Sequence, residues 1–178
     1  MSYPRISRSS FSGILITACL GLALAGCLQG PPRDEPVLVM QRHVSFPEIG
    51  LVEKRIREEC NIATNLSGDI RYYAKQHYSR IDLVDAVSAT TPGTVLYVKI
   101  STLKGGDRGA SWARRPFMMV EGTLWQSGAK VGSFVAQRES QRTVDSCMSL
   151  ARVSRALGKD IGEWLASPTM DARLGDSK

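Results

Sequence analysis

Two histidines, His43 and His77, and four cysteines, Cys19, Cys27, Cys60 and Cys147, hold most of the reactive potential of this 178-residue chain. General acid–base chemistry near neutrality needs an imidazole or a tuned carboxylate within hydrogen-bond reach of the group it serves. Neither histidine lies in an HExxH pattern or beside a cysteine. His77 falls on the apolar face of a helix expected over residues 64–77, which is the position of a packed histidine rather than a base. GxSxG, GxxxxGKS and GxxxxGKT patterns do not occur. Asp82 and Asp85 point to opposite faces of an expected strand and are poor candidates for a paired acid and base. These residues point to a non-catalytic protein that needs no cofactor or metal. A hydrolase assembled from distant residues stays as the alternative reading.

The cysteines carry a different chemistry. Arg5 and Arg8, with no acid near them, precede the apolar run Phe11–Ala25, which is broken only by Ser12, Gly13, Thr17 and Gly21. A cationic end, a short apolar centre and small residues before a cut are the layout of a signal peptide. The run is shorter than the roughly 20 apolar residues a transmembrane helix needs. At its end Leu24-Ala25-Gly26-Cys27 resembles the lipobox of bacterial lipoproteins. That resemblance implies cleavage after residue 26 and acylation of the Cys27 thiol. Leu28, where an Asp would retain the protein at the inner membrane, implies sorting to the outer membrane with the domain facing the periplasm.

Cys19 leaves with the signal peptide, so Cys60 and Cys147 are the two thiols of the mature fold. In an oxidising compartment they are expected to form one disulfide. Two separate buried thiols are the other reading. A zinc pair is disfavoured because neither cysteine has a CxxC or HxxxH companion.

One surface segment has the composition of a recognition site. In Lys104-Gly105-Gly106-Asp107-Arg108-Gly109-Ala110-Ser111-Trp112-Ala113-Arg114-Arg115, three glycines let the backbone approach a ligand. Lys104, Arg108, Arg114 and Arg115 surround Trp112 there, so this patch is the candidate partner-binding site. The spacing matches no phosphate loop, and a long hairpin whose glycines serve turns is the plainer alternative.

The whole chain has a net charge of +6, and the mature part keeps 21 basic against 17 acidic residues once Arg5 and Arg8 are removed. An excess that diffuse suits an anionic envelope component or an envelope protein and gives no case for nucleic acid.

These groups must be positioned by the mature chain. Residues 28–36 hold three prolines and read as a tether, reaching about 30 Å at most when extended. Strands are expected at 37–44, 49–58, 80–87, 94–103, 116–126 and 130–142, with the 126–129 hairpin joining the last two. For 49–58 a helical face of Ile49, Val52, Ile56 and Cys60 competes with alternation. Helices are expected at 64–77, capped by Thr64 or Asn65, and at 146–166, where Cys147, Leu150, Ser154, Leu157, Ile161 and Trp164 share one face. The fold class is therefore α+β, a two-layer sandwich of a largely antiparallel sheet with two helices on one face. Its parts are a signal peptide (1–26), a lipidated tether (27–36), a periplasmic domain (37–168) and a C-terminal tail (169–178).

Glu59-Cys60-Asn61, the loop from Gly105-Gly106 to Ser111-Trp112, Gly122-Thr123-Leu124, Gly132-Ser133-Phe134, and Leu157-Gly158-Lys159-Asp160-Ile161 with Trp164-Leu165 give a further likeness. Over residues 57–175 the chain resembles a family of uncharacterised proteobacterial lipoproteins. In layout alone it is also similar to auxiliary lipoproteins of envelope transport systems. The resemblance implies a periplasmic α/β lipoprotein with an internal cysteine pair and supplies no reaction.

Overall fold

Alternation of buried and more exposed positions builds the centre of the sheet. The computed structural model describes residues 36–46, 54–105, 115–141 and 146–177. Strands β3 (Thr94–Lys104), β4 (Phe117–Gln126) and β5 (Ala129–Glu139) form an antiparallel meander. The expected hairpin between β4 and β5 turns on Ser127 and Gly128, with φ of 51° and 83°. Positive φ at both central residues gives a primed turn, whose twist matches that of the strands. Across the meander, register stacks Leu96, Leu124 and Gly132, then Val98, Gly122 and Phe134, then Ile100, Val120 and Ala136. All nine are buried, and each large aliphatic side chain contributes about 1.5–3 kcal/mol. The alternate residues face outward, where Lys99 pairs across strands with Glu121 at 3.0 Å.

Parallel strands extend the meander on both sides. The order is β2-β1-β3-β4-β5-β6, with β1 at Val37–Gln41, β2 at Arg80–Val84 and β6 at Ala172–Gly175. Strand β1 runs parallel to both β2 and β3, and β6 runs parallel to β5. The β1–β3 ladder covers Leu38–Met40, after which the buried Gln41 side chain accepts the Val98 N–H at 2.8 Å in place of a backbone carbonyl. The sheet is thus mixed, with its longest pairings antiparallel, and the fold is α+β as the sequence predicts.

Helices α2 (Ile62–Ala74) and α3 (Ser146–Trp164) cover one face of the sheet with Ile62, Leu66 and Ile70 from the first and Leu150, Leu157 and Ile161 from the second. Their close approach runs through Ser154, Gly158 and Gly162, one turn apart on α3 and all buried. The Ser154 hydroxyl donates to Asp69 Oδ2 at 2.6 Å. A Cβ on Gly158 would sit 2.7 Å from Asp69 Cβ and 2.8 Å from its backbone carbon. Gly158→Ala is therefore expected to destabilise by about 1–3 kcal/mol despite the better helix propensity of alanine, because the neighbour in the way is backbone. Gly68 lies on α2 with nothing within 4 Å of its Cβ position, so Gly68→Ala should stabilise by about 0.5–1 kcal/mol. Urea denaturation of the two variants checks the opposite signs.

Four expectations change. Within 49–58, the residues described form a helix, α1 (Lys54–Glu59), where Ile56 and Cys60 turn inward on one helical face. Helix α2 starts two residues early, behind Asn61 in the left-handed region (φ 48°), so neither Thr64 nor Asn65 caps it. Thr64 instead bonds His43 Nδ1 at 2.9 Å, and Asn65 Nδ2 donates to the Cys60 carbonyl at 3.3 Å. The same helix ends at Ala74, leaving His77 half-buried in the turn beyond it rather than on its apolar face. Within the expected tail, Ala172–Gly175 adds β6 to the sheet.

Candidate functional site

The two ends of the sheet differ in what they carry. Pro36, the start of β3 and the β4–β5 turn share one end. At the other, β3 finishes at Lys104 and β4 begins at Phe117, so the glycine-rich basic segment leaves and re-enters the sheet there. An 11-residue strand separates the two ends by about 33 Å.

The loop's described feet are held firmly. Lys104 is exposed and closes the ladder opposite Phe117. Arg115 Nε lies 3.4 Å from Glu139 Oε1, and the Pro116 carbonyl accepts the Ser140 N–H at 2.8 Å. Arg108, Trp112 and Arg114 lie outside the described residues, as does Cys27. The structure therefore brings Lys104 and Arg115 to the same end of β3 and β4.

Cys60 and Cys147 form the expected disulfide, with Cα atoms 5.1 Å apart. The bridge joins the approach to α2 to the first turn of α3, at the loop's end of the molecule. Helix α3 then presents Arg152 and Arg155 to solvent, one turn apart. Arg152 borders two clefts. One, of about 400 Å³, lies between the end of β5 and α3 and includes Glu139 and Gln141. The other, of about 480 Å³, lies between the helices and includes Thr64, Asn65, Asp69 and Arg155. The sequence puts Arg152 and Arg155 three residues apart in the expected helix, and only the α2–α3 packing makes their face the wall of a groove. Only the three-residue spacing pointed there.

Elsewhere charge serves the fold. Arg138 holds Asp160 with two bonds of 2.7 and 2.8 Å and Asp176 with one of 2.9 Å, tying β5, α3 and the residue after β6 together. Hydrogen bonding to Asp160, against the opposing effect of partial burial, raises the guanidinium pKa above its ordinary value. Arg138→Met is expected to cost about 1–3 kcal/mol, since it leaves the mostly buried Asp160 without its partner. Thermal denaturation measures it. Asp82 pairs with Arg80 at 3.1 Å and Asp85 with Arg42 at 3.3 Å, so the two carboxylates have separate partners. Among the described residues no group of three His, Cys, Asp or Glu side chains is arranged to hold a metal. No described helix is long and apolar enough to cross a membrane.

This geometry defines an α+β sandwich of a mixed six-stranded sheet covered on one face by α2 and α3. No family model and no curated protein matches the chain. Among solved structures it is similar to a Xanthomonas campestris protein of the DUF330 family, at 12% identity and a TM-score of 0.47, over 73% of this chain and 82% of that one. It is also similar to the PelC dodecamer of Paraburkholderia phytofirmans, at 12% identity and a TM-score of 0.43, over 76% and 89%. A minor lipoprotein of Acinetobacter baumannii aligns at 12% identity and a TM-score of 0.36, over 74% and 90%.

Proposed function

We propose that this protein is a lipid-anchored accessory lipoprotein of the outer membrane, whose periplasmic domain binds another envelope component without catalysing a reaction. The Cys60–Cys147 disulfide carries this reading. It uses the two cysteines left once the signal peptide and the Cys27 anchor are set aside, and such bonds persist in oxidising compartments outside the cytosol. That supports export, and with it the lipobox at Leu24-Ala25-Gly26-Cys27.

Recognition belongs to the end distant from Pro36. Exposed Lys104 and the paired Arg115 bracket the basic segment there, with Arg57, Arg152, Glu58 and Glu59 exposed on the helices of the same end. The basic charge of the segment itself speeds encounter with an acidic partner, and Trp112 with Arg108 and Arg114 has the composition of the central contact. The exposed His43 ring bonds the Thr64 hydroxyl through Nδ1 at 2.9 Å, and among the described residues no carboxylate is shown orienting it as a base.

Trp112→Ala tests the assignment. Partner recovery after crosslinking in native detergent should fall at least tenfold, with the melting temperature of the domain changed by little. A loss of about 3–5 kcal/mol in stability with unchanged recovery would instead make Trp112 part of the core.

A further inference from the structure

We propose that the groove between α2 and α3 is a docking site for an acidic segment of a protein partner, a peptide whose Asp or Glu side chain is held by Arg152 and Arg155. The site is separate from the segment around Trp112 and does not depend on that segment's role.

Helix packing builds the two walls. Ser154 meets Asp69, Gly158 meets Asp69 and Ile70, and Gly162 meets Tyr73, so the helices run the same way side by side. Along this contact a groove of about 480 Å³ opens, with Thr64, Asn65, Gly68 and Asp69 from α2 and Arg152 and Arg155 from α3. Nothing lies within 4 Å of where a Gly68 Cβ would stand, so the missing side chain keeps the α2 wall open. Side chains three apart on a helix are neighbours, with Cβ atoms about 5–6 Å apart. One carboxylate can therefore meet both guanidiniums, whose planar forks match its geometry.

Both guanidiniums are available for such a ligand. Arg152 and Arg155 are exposed, and among the described residues neither has an ion-pair or hydrogen-bond partner. The carboxylates that share their clefts are engaged by other groups. Asp69 accepts the Ser154 hydroxyl at 2.6 Å, and Glu139, in the cleft on the other side of Arg152, pairs with Arg115 at 3.4 Å.

The α2 wall selects the occupant. It offers acceptors, namely the second carboxylate oxygen of Asp69 and the Oδ1 of Asn65, whose amide nitrogen already donates to the Cys60 carbonyl. A phosphoryl group, with up to two charges and mainly acceptor oxygens, would be repelled by the Asp69 carboxylate. A peptide brings both complements, a carboxylate for α3 and backbone N–H donors for α2. Charge agrees with this, because two arginines less one aspartate leave the groove at +1, which a single carboxylate neutralises.

Titration of the purified mature chain in detergent micelles tests this, read by the Nε–Hε signals of Arg152 and Arg155 and by the backbone N–H of Gly68. The probes are a blocked peptide of alternating glycine and glutamate, its glutamine counterpart, and inorganic phosphate at equal ionic strength. The glutamate peptide should shift all three signals saturably, and the other two probes should bind at least about tenfold more weakly. Arg152→Gln with Arg155→Gln, followed at Gly68, should weaken the glutamate peptide by at least about tenfold. Lys130→Gln with Arg173→Gln removes the same charge from the sheet and should change binding less than about twofold. Gly68→Leu fills the groove and should abolish saturable shifts at the arginines without lowering the urea midpoint, since leucine is the better helix former. Equal response to the two peptides, or tighter binding of phosphate, would overturn the assignment to an acidic peptide. Unchanged binding in Gly68→Leu, or arginine signals that no probe moves, would overturn the groove as a site.

Discussion

Reducing the Cys60–Cys147 bridge is expected to lower the melting temperature of the domain by roughly 10 °C or more. The two residues are 87 apart in sequence, and closing a loop of that length removes enough freedom from the unfolded chain to contribute about 4–5 kcal/mol in the chain-entropy account. For a domain of about 150 residues each kcal/mol moves the midpoint by about 2–4 °C. The bridge has a local role too. It fastens Cys60, beside the left-handed Asn61, to the first turn of α3, so its loss should first loosen the loop-bearing end. Cys60→Ala with Cys147→Ala should reproduce the effect of reductant and be insensitive to it. Two thiols freely alkylated in denatured, unreduced protein from cells would show that no bridge forms there.

Cys27→Ser should abolish incorporation of labelled fatty acid and leave uncleaved precursor, since the acylated thiol is the group that lipoprotein processing recognises. The variant should also lose flotation with outer-membrane vesicles. A single acyl chain gives only marginal membrane affinity, whereas two or three give stable attachment, so the expected change is nearly all or none. Label retained at the wild-type level would place the anchor on another residue. Because the folded domain begins beyond residue 34, the substitution should leave its urea midpoint unchanged once the domain is released from the precursor.

The parts legible in the sequence are those set by local periodicity. Leu96, Val98 and Ile100 alternate, Leu150, Leu157 and Ile161 recur at helical spacing, and both signals survive into the fold because the same face meets the same core throughout. Residues 54–59 misled because Ile56 and Cys60 fit a strand or a helix equally in so short a stretch. Strand β6 was hidden for a related reason. Its four residues, Ala172 to Gly175, carry little hydrophobic pattern and are held by the ladder to β5 and by Asp176 on Arg138. The cysteine pair was readable by counting. The two arginines bordering the α2–α3 groove were readable as residues but not as a site, since the groove exists only because Gly158 and Gly162 let the helices approach.

The position of β1 has a kinetic consequence. Both neighbours of this first strand come late: Val37 meets Arg80, 43 residues on, and Leu38 meets Thr94, 56 residues on. A chain delivered amino end first therefore presents a strand with two bare edges and nothing to pair with until Arg80–Val84 and Thr94–Leu96 have followed. Non-local parallel pairing incurs its loop-closure entropy before any contact compensates, which slows folding toward the millisecond-to-second range. Meanwhile the β3–β5 meander needs only neighbouring segments and can assemble first. The expected pathway is a central hairpin nucleus onto which β1 and β2 dock afterwards. Conservative truncations at Val120 and Phe134 should then slow refolding, whereas Leu38→Ala should chiefly accelerate unfolding.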